Sequence, residues 1–192
     1  MALSHELRAF CHSWQTKADA YSLEDLGGAF DRFFTSYVVF NRLYAEATYR
    51  LARRGRVRLR ERFPDSHAAK EYVVQFCGAE MLSRAWEGDP NTAAALREIA
   101  DQLRERRFAL KLDPMTGGRR PEKDRALLAA LESRSPNRKI TAALEALYAI
   151  RCNMFHGQKG FNLAQVTLLR PAILLLESTS HVLYETLDRN DD

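Results

Sequence analysis

Apolar side chains recur every three or four residues along almost the whole chain. This period predicts amphipathic α-helices, because a β-strand would need a strict alternation of apolar and polar residues over a convincing length. Ala, Leu, Glu and Arg, all strong helix formers, are the prevailing residue types. Most prolines stand between the periodic segments, whereas Pro171 stands inside one. The chain is therefore predicted to be all-α, a single-domain helical bundle of roughly six or seven helices over residues 1–192.

Local signals predict where the helices begin and end. The S-L-E-D segment at Ser22 has the pattern of a capping box and predicts the start of a long second helix, which Gly55 would end. The pair Gly27 and Gly28 is expected to weaken or delay that start. Asp65 or Ser66 is expected to cap the third helix. The segment 113–123, rich in Gly, Pro and charge, predicts a loop. The predicted helices cover about 2–20, 23–54, 65–86, 92–108, 122–133, 137–156 and 162–188.

Charge and cysteine content narrow the class of protein. The chain carries 29 Lys and Arg against 25 Asp and Glu, so local clusters of charge matter more than the net +4. Its three cysteines, Cys11, Cys77 and Cys152, are widely spaced, which argues against a disulfide framework or a zinc site and predicts reduced, mostly buried thiols. The N-terminus lacks the apolar core of a signal peptide, and no apolar run reaches the roughly 20 residues of a membrane span. We expect a cytoplasmic protein with no membrane association, metal or cofactor.

The most informative stretch is Tyr148 to Phe161, "YAIRCNMFHGQKGF". On a helical wheel of 137–156, Arg151 lies near the middle of the apolar face, one turn after Leu147 and two turns after Leu144. An unpaired guanidinium is too costly to bury, so Arg151 must meet a carboxylate, open into a cleft or face a subunit interface. A structural ion pair is the simplest of these explanations.

His156 precedes Gly157, a candidate for the left-handed position that ends a helix. A helix C-terminus favours the protonated form of histidine, which suits an acid-base role near neutral pH. Asn153 lies between Arg151 and His156 and would hold a phosphate oxygen or orient a ring nitrogen. The simpler alternative is that His156 is only a residue at a helix end.

The segment "RCNMFHGQK" resembles the signature of HEPN-domain proteins, an all-α superfamily associated with nucleic acids. The signature is an Arg, four to six residues and a His near the end of a long helix, and here Arg151 and His156 are separated by four residues. The resemblance covers about 137–187. One departure is Cys152, which stands where active members often have a polar residue.

This resemblance implies metal-independent RNA cleavage by a homodimer. The 2′-hydroxyl of the RNA would attack the adjacent phosphate at a composite site where two motifs meet. Arg151 would stabilise the charged transition state, His156 would transfer protons, and Asn153 would assist. A toxin or defence role, with an antitoxin-like protein as partner, is common in the family and is an analogy of fold and motif.

A second feature is the arginine run "RLARRGRVRLRERF", from Arg50 to Phe63, which contains seven arginines. Clustered guanidinium groups bind phosphates bidentately and release counterions from RNA without reading its sequence. The predicted nucleic-acid-binding residues are Arg53, Arg54, Arg56, Arg58 and Lys159. The alternative is a solvated basic segment paired with nearby acidic residues. The segments "RERR" at 104–107 and "GGRRPEK" at 117–123 repeat the theme more weakly.

Other chemistry has little support in the sequence, since no nucleophile elbow, phosphate-binding loop, HExxH or dinucleotide fingerprint occurs. The aromatic residues of the second predicted helix are expected in the core or a dimer interface rather than in a base-stacking platform. Three hypotheses therefore remain: the ribonuclease, a non-catalytic HEPN-like module for RNA binding or dimerisation, and a purely structural helical scaffold.

Overall fold

The computed structural model describes residues 2–59, 61–113, 115–155 and 163–189, with the backbone alone at Phe155 and Leu163. These residues form an all-α fold, as predicted, with a number of long helices close to the six or seven expected. The described residues contain no β-strand, and their one isolated β-bridge joins Leu112 to Arg119. The helical elements are α1 His5–Asp19, α2 Leu26–Arg53, α3 Asp65–His67, a π-helical segment Ala68–Tyr72, α4 Val73–Cys77, α5 Ala79–Gly88, α6 Pro90–Arg104, α7 Pro121–Leu131, α8 Pro136–Phe155, a 3₁₀ turn Leu163–Gln165 and α9 Val166–Arg189.

Helices α2 and α9 form the centre of the bundle and have the most extensive mutual packing. Helix α1 packs on α2, and α6 packs on α9. Helix α8 contacts α5, α7 and the π-helical segment. The core contains the predicted aromatic residues of α2, since Phe33, Phe40 and Tyr44 are almost completely buried. Burial of large aromatic and aliphatic side chains between these helices is the main stabilising contribution.

Three of the prolines begin helices. Pro90, Pro121 and Pro136 are the first residues of α6, α7 and α8, where the missing N–H has no intrahelical partner to lose. Gly55 ends α2 as predicted, with φ +68°, and its amide donates to the Ala52 carbonyl at 2.9 Å. Glycine adopts this left-handed conformation without the steric penalty of a side chain.

The capping box predicted at Ser22 does not form, and α2 starts later, as the glycine pair indicates. Helix α2 begins at Leu26, and its N-cap is Asp25, whose carboxylate accepts a hydrogen bond from the Gly28 amide at 2.8 Å. The Ser22 hydroxyl instead accepts from the Glu24 amide at 3.0 Å, in a turn before the helix. A Cβ at Gly28 would lie 2.3 Å from the Ser22 carbonyl oxygen, so the close approach of this turn requires glycine.

The third predicted helix is not continuous. It divides into α3, the π-helical segment and α4, and Gly78, at φ +87°, separates α4 from α5. The extra backbone residue of a π-helical turn often marks a functional region. Here that segment follows α3, which begins at Asp65, and it packs against α2 and α8.

Helix α9 has the length and mean hydropathy (1.2) of a membrane span, and among the described helices it is the one that does. However, 61% of the 18-residue stretch of α9 that has this hydropathy is buried inside the protein. This burial is typical of the core helix of a soluble protein. Among the cysteines, Cys11 and Cys77 are buried and Cys152 is half-buried, and none forms a disulfide.

Candidate active site around Arg151

Helix α8 places Arg151 at the edge of the core. Leu144 and Leu147, on the preceding turns of the same face, are essentially inaccessible to solvent. Arg151 is half-buried, as the end of the apolar face emerges toward the surface. The wheel prediction that this cation lies on the apolar face is therefore confirmed.

Two tyrosine rings flank the Arg151 guanidinium. Its central carbon lies 5.7 Å from the ring centroid of Tyr37 on α2 and 6.0 Å from that of Tyr148 on α8. The negative faces of aromatic rings attract a cation at these separations. The Nη1 atom also lies 3.9 Å from the Cys152 sulfur, to which it donates a weak hydrogen bond. This environment stabilises a positive charge on an otherwise apolar helix face.

Asp65, the first residue of α3, links that helix to α2 and α8 near Arg151. Its carboxylate accepts a hydrogen bond from the Tyr148 hydroxyl at 3.1 Å and another from the Tyr44 hydroxyl. The expectation that Asp65 or Ser66 caps a helix is wrong, because the N-cap of α3 is Pro64 and no side chain caps it. The carboxylate of Asp65 instead binds tyrosines of α2 and α8. This arrangement fixes α8 relative to α2 close to Arg151.

Burial keeps the tyrosines of this cluster protonated. Desolvation raises the pKa of Tyr44 and of Tyr148, and the nearby Asp65 carboxylate raises both further. Burial also raises the pKa of Tyr37, although the positive charge of Arg151 partly opposes that shift. The hydroxyl of Tyr37, whose residue is only 4% exposed, has no hydrogen-bond partner in the described part of the chain. All three phenols therefore keep their protons at neutral pH, and those of Tyr44 and Tyr148 donate to Asp65.

Arg151 is a permanent cation in this setting. Burial lowers the pKa of its guanidinium, but the hydrogen bond to Cys152 and the electrostatic effects of Tyr37, Cys152 and Asp65 outweigh burial and raise it. A cation that keeps its charge while partly desolvated interacts strongly with an anion, because the surrounding dielectric constant is low. The site can therefore stabilise negative charge on a phosphate.

Asn153 points into the protein. It is 7% exposed, and its Nδ2 donates a hydrogen bond to the Leu110 carbonyl oxygen at 2.9 Å. The loop after α6, which contains Leu110, covers Asn153. The amide thereby anchors that loop to α8, two residues after Arg151.

Two predicted site residues, His156 and Lys159, lie outside the described residues, as does Gly157, the expected end of the helix. Helix α8 is described up to Phe155, and Arg151 lies one turn before that residue. In the sequence, His156 is the next residue after Phe155.

The arginine run divides into a buried part and an exposed part. Arg50 is 4% exposed, and its Nη1 donates to the Leu187 carbonyl at 2.7 Å while its Nε donates to Glu46 at 3.2 Å. It is a structural residue of the bundle. The arginines predicted to bind nucleic acid are all exposed: Arg53, Arg54, Arg56 and Arg58. Arg60 lies outside the described residues.

The described residues contain no group of three or more His, Cys, Asp or Glu side chains that could hold a metal ion. Comparisons of this chain with protein-family models, curated proteins and solved structures find no match. The function must therefore be inferred from the chemistry of the site itself.

Sequence reasoning missed the four residues around Arg151. Tyr37 and Tyr44 are seven residues apart on α2 and so share a face, and Tyr148 precedes Arg151 by three residues on α8. These spacings indicate that Tyr37 and Tyr44 share a face of α2 and that Tyr148 and Arg151 share a face of α8. Nothing in the local sequence indicates that Asp65 would join them, because that contact depends on the packing of α3 against α2 and α8.

Proposed function

We propose that this protein is a cytoplasmic, metal-independent endoribonuclease of the HEPN type, with a composite active site formed by a homodimer. The observation that carries the proposal is the position of Arg151, a partly desolvated permanent cation flanked by two tyrosine rings. His156 follows it by five residues in the sequence. A cleavage site for RNA needs such a fixed positive charge beside a group that transfers protons at neutral pH.

In the proposed reaction, the 2′-hydroxyl of one nucleotide attacks the adjacent phosphorus. The 2′-O–P bond forms, the bond from phosphorus to the 5′-oxygen breaks, and the products are a 2′,3′-cyclic phosphate and a 5′-hydroxyl. Arg151 stabilises the additional negative charge on the phosphoryl oxygens in the transition state. His156 transfers protons between the attacking and leaving oxygens. Asn153 positions the end of α8 through its bond to the Leu110 carbonyl.

The test is cleavage of a single-stranded RNA with a fluorophore and a quencher at its ends, by purified wild-type protein and by the variants Arg151→Ala and His156→Ala. We expect each variant to lose about 100-fold or more of the cleavage rate, because each removes a group that acts in the transition state. Excess EDTA should leave the wild-type rate unchanged. The DNA of the same sequence, which lacks the attacking hydroxyl, should remain intact.

A matched control removes a positive charge elsewhere on the surface. Arg189, whose side chain is 79% exposed, is such a residue, and Arg189→Ala should cleave RNA at the wild-type rate. Circular dichroism must show that Arg151→Ala is folded, and Arg151→Lys, which keeps the charge, provides a second variant if it is not. Undiminished cleavage by both Arg151→Ala and His156→Ala would refute the proposal. Sedimentation should find a dimer under the conditions in which the protein is active.

The exposed arginines favour a second candidate function, a non-catalytic HEPN-like module that binds RNA. Arg53 has a side chain 63% exposed with a 3.4 Å contact to Glu46, and Arg54, Arg56 and Arg58 follow it on the surface. RNA binding without cleavage at any pH, lost when these four arginines are neutralised, would support this candidate over the enzyme.

A role as a toxin, countered by an antitoxin-like partner, predicts that expression of the wild-type protein slows cell growth and that expression of Arg151→Ala does not.

A further inference from the structure

A second basic site lies at the end of α6, where two arginine-rich segments that are separate in the sequence form one cleft. Its volume is about 260 Å³. The cleft is lined by four arginines, from the end of α6, from the following loop and from α7: Arg104, Arg106, Arg119 and Arg125. The side chains of Phe108 and Leu128 form its apolar floor.

The path of the loop explains how these arginines meet. After α6 the chain turns back on itself, and the Arg120 amide donates to the Lys111 carbonyl at 2.9 Å beside the bridge between Leu112 and Arg119. Asp124 on α7 then fixes the loop, because its carboxylate accepts hydrogen bonds from the amides of Leu110 and Lys111 at 3.1 and 2.9 Å.

The charge of this cleft is only partly neutralised. Arg104 forms ion pairs with Asp101 and Glu132. In the part of the chain that the structure describes, the side chains of Arg106, Arg119 and Arg125 form no ion pair or hydrogen bond. Asp124 is the carboxylate in the wall, and its Oδ1 atom accepts both hydrogen bonds from the loop amides. Arg106, Arg119 and Arg125 give the cleft three positive charges against this one negative charge.

Arg106 also has a backbone conformation that its side chain does not favour. Its φ is +57°, the one positive value recorded for a residue other than glycine among the described residues. The Arg106 amide donates to the Leu103 carbonyl and the Arg107 amide to the Gln102 carbonyl, at 3.1 and 3.0 Å, which is the pattern of a Schellman motif. Gly55 occupies the equivalent position after α2. A glycine would adopt this conformation with less strain, so Arg106 carries a steric penalty at this position.

We propose that this arginine cleft binds a terminal phosphate or diphosphate group. Guanidinium groups recognise phosphate oxygens bidentately, and three of them without ion pairs match the charge of such a group. The cleft is smaller than the roughly 300–1,000 Å³ of pockets that enclose a drug-sized ligand, so it fits the phosphate end rather than a whole large molecule. Pro121, the first residue of α7, lines the cleft, so the positive end of that helix dipole lies at the wall of the cleft. The phosphate belongs either to a free nucleotide or to the end of an RNA, and the site does not depend on RNA cleavage.

The test uses pyrophosphate as the probe, with binding measured by titration calorimetry at low ionic strength, where screening is weak. Arg106→Gly should weaken pyrophosphate binding about tenfold or more, because a charge-assisted hydrogen bond is lost. The same variant should melt about 2 to 4 °C above the wild type, since the strained backbone is relieved. A loss of binding with a gain in stability separates a role in binding from a role in folding. Arg119→Gln should weaken binding by a similar factor.

The control is Arg107→Gln. Arg107 is the next residue in the chain and is also exposed, but it pairs with Glu105 and does not line the cleft. Absence of pyrophosphate binding by the wild type, or an equal loss in Arg107→Gln and Arg106→Gly, would overturn the proposal.

Adenosine monophosphate and an RNA oligonucleotide with or without a 5′-phosphate then identify the source of the phosphate. Tighter binding of the phosphorylated RNA, sensitive to Arg106→Gly, supports an RNA end, whereas equal affinity for the two RNAs with competition by the nucleotide supports a free nucleotide.

Discussion

Arg50→Ala is expected to destabilise the protein strongly, although the sequence places this residue within a basic run. The Arg50 guanidinium is 4% exposed and lies between the C-terminal parts of α2 and α9. Leu187, whose carbonyl oxygen accepts its hydrogen bond at 2.7 Å, is in the last turn of α9, where carbonyl groups have no intrahelical partner. Arg50 therefore caps α9, and its positive charge also interacts favourably with that end of the helix dipole.

The size of the destabilisation follows from the hydrogen bonds that Arg50 donates to Leu187 and Glu46. A hydrogen bond to a charged group contributes about 1.5–3 kcal/mol, and removing one member of a buried ion pair costs about 3–5 kcal/mol. Loss of the bonds to Leu187 and Glu46 should therefore lower the free energy of unfolding by about 3–5 kcal/mol. That is a large part of the roughly 5–15 kcal/mol that stabilises a typical domain.

Urea unfolding followed by circular dichroism measures this change, and Arg53→Ala is the matched control. Arg53 contacts the same Glu46 carboxylate at 3.4 Å, but its side chain is 63% exposed. A surface ion pair of this kind contributes about 0–1 kcal/mol. The reasoning would be refuted if Arg50→Ala lost less than about 1 kcal/mol, or if Arg53→Ala lost as much as Arg50→Ala.

Two further predictions concern ionisable groups. The hydrogen bond from Arg120, helped by the Met115 and Thr116 amides, lowers the pKa of Asp113 from 3.8 to about 2, so the stability it contributes is present above about pH 4 and is lost as the pH falls to 2. Arg120→Ala should move the Asp113 pKa part of the way back toward 3.8 in an NMR titration, and a value that stays near 2 would contradict this. Burial raises the pKa of Cys11 to about 11 and of Cys77 to about 12, so iodoacetamide at pH 8 should label half-buried Cys152 first, as peptide mass spectrometry would detect. Labelling of Cys77 before Cys152 would show that the described burial is wrong.

The elements that the sequence predicts best are those with strong local signals. Gly55 ends α2 in the left-handed conformation that was expected, and Pro121 and Pro136 begin helices within a residue of the predicted bounds. The capping box at Ser22 was predicted wrongly because Asp25 competes with Ser22 as a cap, and Asp25 is the N-cap of α2. The third helix was predicted as continuous because its apolar period gives no sign of the π-helical segment.

The candidate site was predictable only where it lies within one helix. The helical period alone places Arg151 on the apolar face of α8, and the burial of Leu144 and Leu147 confirms it. The roles of Arg50 and Asp65 were not predictable, since a run of like charges and a potential cap residue each have an ordinary local explanation. Both residues take their partners from helices that are distant in the sequence.

The sequence by itself determined the all-α class, most helix positions and the presence of a cation on a core-facing surface, because helix periodicity and the conformations of Pro and Gly are local properties. Tertiary structure alone decided which groups surround that cation. Tyr37 from α2 flanks Arg151, and Asp65 binds tyrosines of both α2 and α8. The same packing turned Arg50 into a buried cap and gathered Arg106, Arg119 and Arg125 into one cleft. The physical reason is that desolvation and hydrogen bonding depend on neighbours in space, which local sequence patterns do not specify.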